Sequence, residues 1–125
     1  MARWGLLPLR LVVGLVFVMH GGQKPLVMGI AGTAGFFGQL GIPFPRLAAV
    51  AIIVLEIVGG LALLLGFRTR VAALPLLVDT LGAFFTVHLR HGFFLPEGFE
   101  FVLTLIGALL TLASAGPGPL AVDRS

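Results

Sequence analysis

A carboxylate sits in the middle of an otherwise apolar run: Glu56 lies nine residues after Leu47 and ten before Gly66. If that run is a helix, a rise of about 1.5 Å per residue puts the carboxylate about 14 Å from either end, too deep for the side chain to stretch to water. A charge at that depth in a bilayer costs on the order of 2.5–3.5 kcal/mol, so it faces the protein interior or a watery cavity. There it either serves proton or ligand chemistry or pairs with a cation that holds helices together. Gly59 and Gly60 follow three and four positions later on the same side of the helix. They leave room beside the carboxylate for another backbone or a ligand.

Cations that could meet Glu56 lie on the first apolar segment. Placed at about 100° per residue, Arg10, Gly14, Phe17, Gly21 and Lys24 fall within a sector of about 80°, with His20 about 40° beyond Lys24. One face of this helix is thus basic and small, although snorkelling of both long side chains to opposite interfaces would give the same pattern. An inward Arg10 lies at a depth where Asp79, on the third apolar segment, could pair with it. Farther along, His20, Gln23, Lys24, His88, Arg90, His91, Glu97 and Glu100 map to one side of the membrane from four segments. Histidine beside lysine and carboxylate suits proton exchange or hydrogen bonding to a carbonyl-rich head group. It does not suit a metal, because no histidine has an i,i+4 partner and His88 with His91 is a loose pair at a helix end. Glu100, in the first turn of its helix, is also accounted for by the helix dipole.

The elements that must position these groups follow from composition. Of the 125 residues, 58% are hydrophobic and 10% charged, with a mean hydropathy of +1.14; a soluble domain carries about 25% charged residues. Four windows approach the roughly 20 apolar residues that a hydrocarbon core about 30 Å thick requires. They are Leu6–Lys24, Leu47–Gly66, Val71–Leu89 and Phe99–Ala115. The tight Phe67–Arg70 turn and the short His91–Gly98 turn make consecutive helices antiparallel neighbours. Gly116, Pro117, Gly118 and Pro119 stop the last one. The expected fold is all-α: an integral membrane four-helix bundle forming a single domain over residues 1–125, with a short interfacial segment between helices 1 and 2. That segment, within the Pro25–Arg46 connection, has glycine at 29, 32, 35, 38 and 41. Phe36, Phe37 and Leu40 would share one side of a short helix lying in the interface or folding back over the bundle mouth. A flexible small-residue loop is the alternative.

Arg3, Arg68, Arg70 and Arg124, with Arg10 nearby, fall on one side of the membrane, and Lys24, Arg46 and Arg90 on the other. An inner-membrane location with both termini cytoplasmic is therefore expected. The first segment also has the basic start of a signal peptide, with Gly29–Ala31 as a small-residue cleavage site, but the polar His20–Lys24 block between them argues against cleavage. The chain has no cysteine, which rules out disulfides, thiol redox chemistry and thiolate metal sites. The pI of about 11.2 reflects a net charge of only +3. With no basic stripe interleaved with aromatics, nucleic acid is not an expected partner.

Together these residues form a pattern. Arg10-Leu-Val-Val-Gly14-Leu-Val-Phe17-Val-Met-His20-Gly21-Gly-Gln-Lys24 is followed by Leu40-Gly41-Ile42-Pro43 and by Glu56-Ile-Val-Gly59-Gly60-Leu. Leu65-Gly66, Thr69-Arg70, His88, Gly92-Phe93-Phe94 and Gly98-Phe99-Glu100 come after. In this order they resemble the DoxX family, from about residue 6 to 119. The resemblance implies a four-helix inner-membrane protein. Some members of that family are subunits of thiosulfate:quinone oxidoreductase or associate with a terminal quinol oxidase, and others are linked to thiol-based oxidative-stress complexes. Without cysteine, this chain could join the latter only through partners. The quinone link carries over to Arg10, His20, Lys24, Glu56 and Glu100.

Three functions compete. The first is a quinone-interacting subunit of a membrane redox complex, in contact with the lipid bilayer and with other redox subunits. Its pocket would be walled by Phe17, Phe84, Phe85, Phe93 and Phe94, with His20, Lys24, Glu56 and His88 contacting ring carbonyls or moving protons. Glu56, His20 and Lys24 are the best catalytic candidates, and Glu100 is a further cofactor-binding candidate. The second is a non-catalytic anchor or assembly subunit whose charges pair internally. The third is a small transporter or proton pathway through Glu56. No cofactor-ligand or nucleophile motif makes the chain a self-sufficient oxidoreductase.

Overall fold

The computed structural model describes residues 2–96 and 98–123. Its helices are α1 (Leu6–Gln23), α2 (Gly29–Gln39), α3 (Pro45–Leu65), α4 (Thr69–Ala83) and α5 (Glu100–Ala115), and no strand occurs among the described residues. Three helical stretches are long and apolar enough to cross a membrane: Arg3–Gln39, Pro45–Leu65 and Thr69–His91. The fourth, α5, has 16 residues, about 24 Å at the usual rise.

The first stretch is a broken helix. Pro25 lacks an N–H, and in a regular helix its ring would strike the carbonyl of Gly21. The backbone widens there into a π-helical turn, Lys24–Met28, and Gly29 at φ +75° redirects the chain into α2. Both halves run antiparallel to α3. Gly14 faces Gly60 and Leu64, Gly21 faces Glu56 and Ile57, and Gly38 approaches Pro45. The segment after the first window thus continues in the same direction along the first half of α3, and the break falls level with the middle of that helix.

Around the bundle the order is α1, α3, α4, α5, with α5 returning to α1 and α2 packed on α3. One half of the bundle is filled with side chains, including Val13, Phe17, Leu63, Leu76, Leu109 and Leu112. The tightest seam in this half is α1 against α3. A Cβ on Gly60 would come within 2.8 Å of the Gly14 carbonyl oxygen and of the Val18 amide nitrogen, both of them backbone atoms that cannot swing aside. Gly60→Ala is therefore expected to destabilise the bundle by about 1–3 kcal/mol, as overpacking does. Gly107→Ala, at a position with nothing within 4 Å, serves as the control and should be neutral or stabilising. Denaturant titration of the purified protein followed by circular dichroism would tell them apart, and equal midpoints would refute the close seam.

At the end of the bundle where α1 begins, α3 stops at Gly66, where φ is +70°. The Gly66 N–H donates to Leu63 O at 3.2 Å and the Phe67 N–H to Ala62 O at 2.8 Å, a left-handed cap that favours glycine. The last residues lie across this turn. Val122 N–H donates to Leu65 O at 2.8 Å and Asp123 N–H to Gly66 O at 3.2 Å. The Asp123 carboxylate accepts the Arg68 N–H at 3.1 Å. Arg10 is wholly buried beneath this strap. Its Nη2 donates to the carbonyls of Pro119 at 3.2 Å and Leu120 at 2.9 Å. The expected pairing of Arg10 with Asp79 is not formed, because Arg10 sits at the level of Gly66 while Asp79 lies farther along α4, opposite Glu56.

Candidate ligand site

The other half of the bundle is not filled. A cavity of about 920 Å³ lies between α1, α2, α3, α4 and α5, within the usual range of about 300–1,000 Å³ for small-molecule sites. Its walls are mainly apolar and include Phe17, Phe36, Phe37, Leu55, Val78 and Phe101. Lys24, Glu56, Asp79 and His20 supply polar groups on one side, and Thr80, Thr86 and His88 supply others.

Each of these groups is placed by a local feature of the chain. Lys24 begins the π turn at the break in the first stretch and continues the face of α1 whose Gly14 and Gly21 meet α3. Its Nζ donates to Glu56 Oε1 at 2.5 Å, and the two side chains are 19% and 9% exposed. Glu56 is brought to this level by the glycine seam, since Gly21 packs directly against its Cβ. Asp79 enters from α4 beside Glu56 and within the field of Lys24. The trio gathers one ammonium and two carboxyl groups in a mainly apolar surrounding.

His20 lies one helical turn before Lys24. Its Nδ1 is 2.9 Å from the Val16 carbonyl oxygen, which can only accept, so Nδ1 carries the proton, and in the neutral imidazole Nε2 is the acceptor. The ring stacks on Phe101 with centroids 5.8 Å apart and an interplanar angle of 26°. Position and tautomer of the imidazole are thus both set.

His20, Lys24, Glu56 and His88, singled out from the sequence, all border this one cavity, whereas Glu100 does not. Glu100 instead stands in the first turn of α5, where the helix dipole accounts for a carboxylate. Gln23, Arg90 and His91 also lie outside the lining; Arg90 donates back to the Thr86 carbonyl at 2.9 Å. Glu97 falls outside the described residues. The expected aromatic wall is corrected. Phe17 contributes, but Phe84, Phe85, Phe93 and Phe94 do not, and Phe36, Phe37 and Phe101 take their place. The displaced rings pack edge to face among themselves and with Phe99, at centroid distances of 5.1–5.4 Å.

Asp79 is the site residue that sequence reasoning sent elsewhere. The signal was available. Glu56 stands ten residues before Gly66 and Asp79 ten residues after Thr69, so an antiparallel hairpin with its turn between them brings the two carboxyls to the same height.

Comparison with known proteins agrees with this architecture. The family model for DoxX matches residues 5–89. The chain is 34% identical over 128 residues to the inner membrane protein YphA of Escherichia coli, covering 95% of this chain and 88% of that one. It is 40% identical over 127 residues to Rv3486, an uncharacterized membrane protein of Mycobacterium tuberculosis, covering 93% and 77%. CatD of Bacillus subtilis, provisionally named an oxidoreductase, is 34% identical over 119 residues, covering 95% and 84%. No solved structure matches the chain.

Proposed function

The chain belongs to the DoxX family of membrane proteins, and we propose that it is the quinone-interacting subunit of an inner-membrane redox complex, with the ring held in the cavity between α2 and α5. The observation that carries this reading is the convergence of Lys24, Glu56, Asp79 and His20 on one apolar cavity of about 920 Å³. Apolar walls with a few convergent polar groups are what a small-molecule site requires. The fit is chemical as well as spatial, because flat aromatic walls suit a ring and the polar group set can exchange hydrogen bonds with its two oxygens. When bound, such a ring supplies reversible two-electron, two-proton chemistry. This chain's residues would orient the ring, through Lys24 and the fixed His20 imidazole, and hold a proton on the Glu56–Asp79 pair beside it. The provisional naming of CatD as an oxidoreductase supports a redox role.

A second reading, an anchoring subunit whose charges pair internally, is favoured by the Lys24–Glu56 ion pair itself. Titration of a quinone analogue into the purified protein, read by intrinsic fluorescence quenching, separates the two. Saturable binding at micromolar concentration is expected, weakened about tenfold or more by Lys24→Ala, the loss of one charge-assisted hydrogen bond. Binding indifferent to that change, or absent altogether, would favour the anchor.

A further inference from the structure

The hydrogen-bonding capacity left over in the cavity is lopsided. The Thr80 hydroxyl donates to Leu76 O at 2.8 Å and the Thr86 hydroxyl to Gly82 O at 2.7 Å. Each therefore turns only lone pairs toward the space. His20 has committed its Nδ1 proton to Val16 O and likewise offers a lone pair, at Nε2. Glu56 and Asp79 add carboxyl oxygens to the lining, and these accept. Lys24 retains donors, but one of its three is already held by Glu56 at 2.5 Å. His88, which also borders the cavity, is engaged in an interaction of its own.

A ring bearing two carbonyls offers only acceptors and would find Lys24 as its partner among the side chains just described, with the other oxygen facing lone pairs. Its reduced form offers two hydroxyl donors. One can donate to His20 Nε2, the other to a threonine or carboxyl oxygen, and a hydroxyl oxygen can still accept from Lys24. We infer that the cavity selects the reduced, dihydroxy form of its aromatic ligand over the oxidised dione, with His20 Nε2 as the specificity-determining acceptor. This rests on the quinone reading above and adds the oxidation state to it.

The probe is a decyl-tailed dimethoxybenzoquinone and its chemically reduced hydroquinone, each titrated anaerobically into the full-length protein in lipid nanodiscs. The hydroquinone is expected to bind about tenfold more tightly, the worth of one satisfied hydrogen bond against one left facing lone pairs. His20→Phe keeps the stacking on Phe101 and removes the acceptor, and it should bring the two affinities to within about threefold of each other. Equal binding of the two forms, or tighter binding of the dione, overturns the inference while leaving the quinone reading in place. So does a preference that survives His20→Phe, as regards the role of His20. Binding of neither form overturns both.

Discussion

Glu56→Gln alone is expected to leave the bundle folded, whereas Glu56→Gln with Asp79→Asn should destabilise it by about 3–5 kcal/mol, the cost of stranding a buried charge. The reason is the composition of the trio. Lys24 is only 19% exposed and is held by Glu56 at 2.5 Å, so its ammonium needs a carboxylate. When Glu56 becomes an amide, Asp79, which stands beside it in the same cavity, can supply the carboxylate instead. With both carboxyls replaced, no acidic side chain remains among the described residues that line the cavity. Replacing Lys24 with methionine in the double variant should then recover most of the loss, because a neutral apolar set needs no compensation. Thermal denaturation of the four proteins decides the matter. Collapse of the single variant would mark Lys24–Glu56 as a structural lock and favour the anchoring subunit. A double variant as stable as the wild type would show that Lys24 is not desolvated. In cells, a stable Glu56→Gln protein that fails to complement would place Glu56 in the function, and full complementation would remove it from both readings.

Arg10→Met is expected to free the C-terminal strap without unfolding the helices. The guanidinium is fully buried, and two of its nitrogens, Nε and Nη1, have no hydrogen-bond partner among the described residues. Its Nη2 alone ties down Pro119 and Leu120. Hydrogen bonds from a charged donor contribute about 1.5–3 kcal/mol each. Losing them should speed amide exchange at Val122 and Asp123 by about ten- to a hundredfold. Global stability should change much less, since methionine keeps the apolar stem and removes an incompletely satisfied buried charge. Hydrogen exchange read by mass spectrometry on a C-terminal peptide measures this directly. Exchange at Val122 unaltered by the substitution would show that the backbone bonds to Leu65 and Gly66 hold the strap without Arg10.

Much of the scaffold was legible because lipid imposes simple rules. Long apolar windows and tight turns identify the helices and their antiparallel order, and a carboxylate in the middle of such a window can only face inward. That logic reached Glu56, and the helical wheel turned Lys24 toward it. It failed for Arg10, whose partners are backbone carbonyls of the terminal strap, and such carbonyls leave no mark in a pattern of side chains. It failed for Asp79 through a depth assignment made from the window edge instead of the turn. The glycine triplets favour loop over helix by propensity, yet the residues from Gly29 to Gln39 are helical because packing against α3 outweighs the intrinsic preference. The aromatic wall depended on the path of the chain between His88 and Phe99. The rings of Phe93 and Phe94 settle there on one another and on Phe99, away from the cavity.

The break in the first helical stretch also bears on how the chain enters the membrane. Synthesis delivers Lys24 first, and Glu56 follows 32 residues later. In that interval a lone ammonium near the centre of a nascent span opposes partition into lipid by about 2.5–3.5 kcal/mol, and Pro25 has already removed one backbone hydrogen bond beside it. The first stretch is therefore a reluctant membrane segment by itself, in spite of its length. It becomes a good one when α3 emerges and presents the carboxylate together with the glycine seam that lets the two backbones meet. Integration of the first two crossings is in this sense coupled through the Lys24–Glu56 pair. Asp79 joins last, when the α3–α4 hairpin closes and completes the cluster.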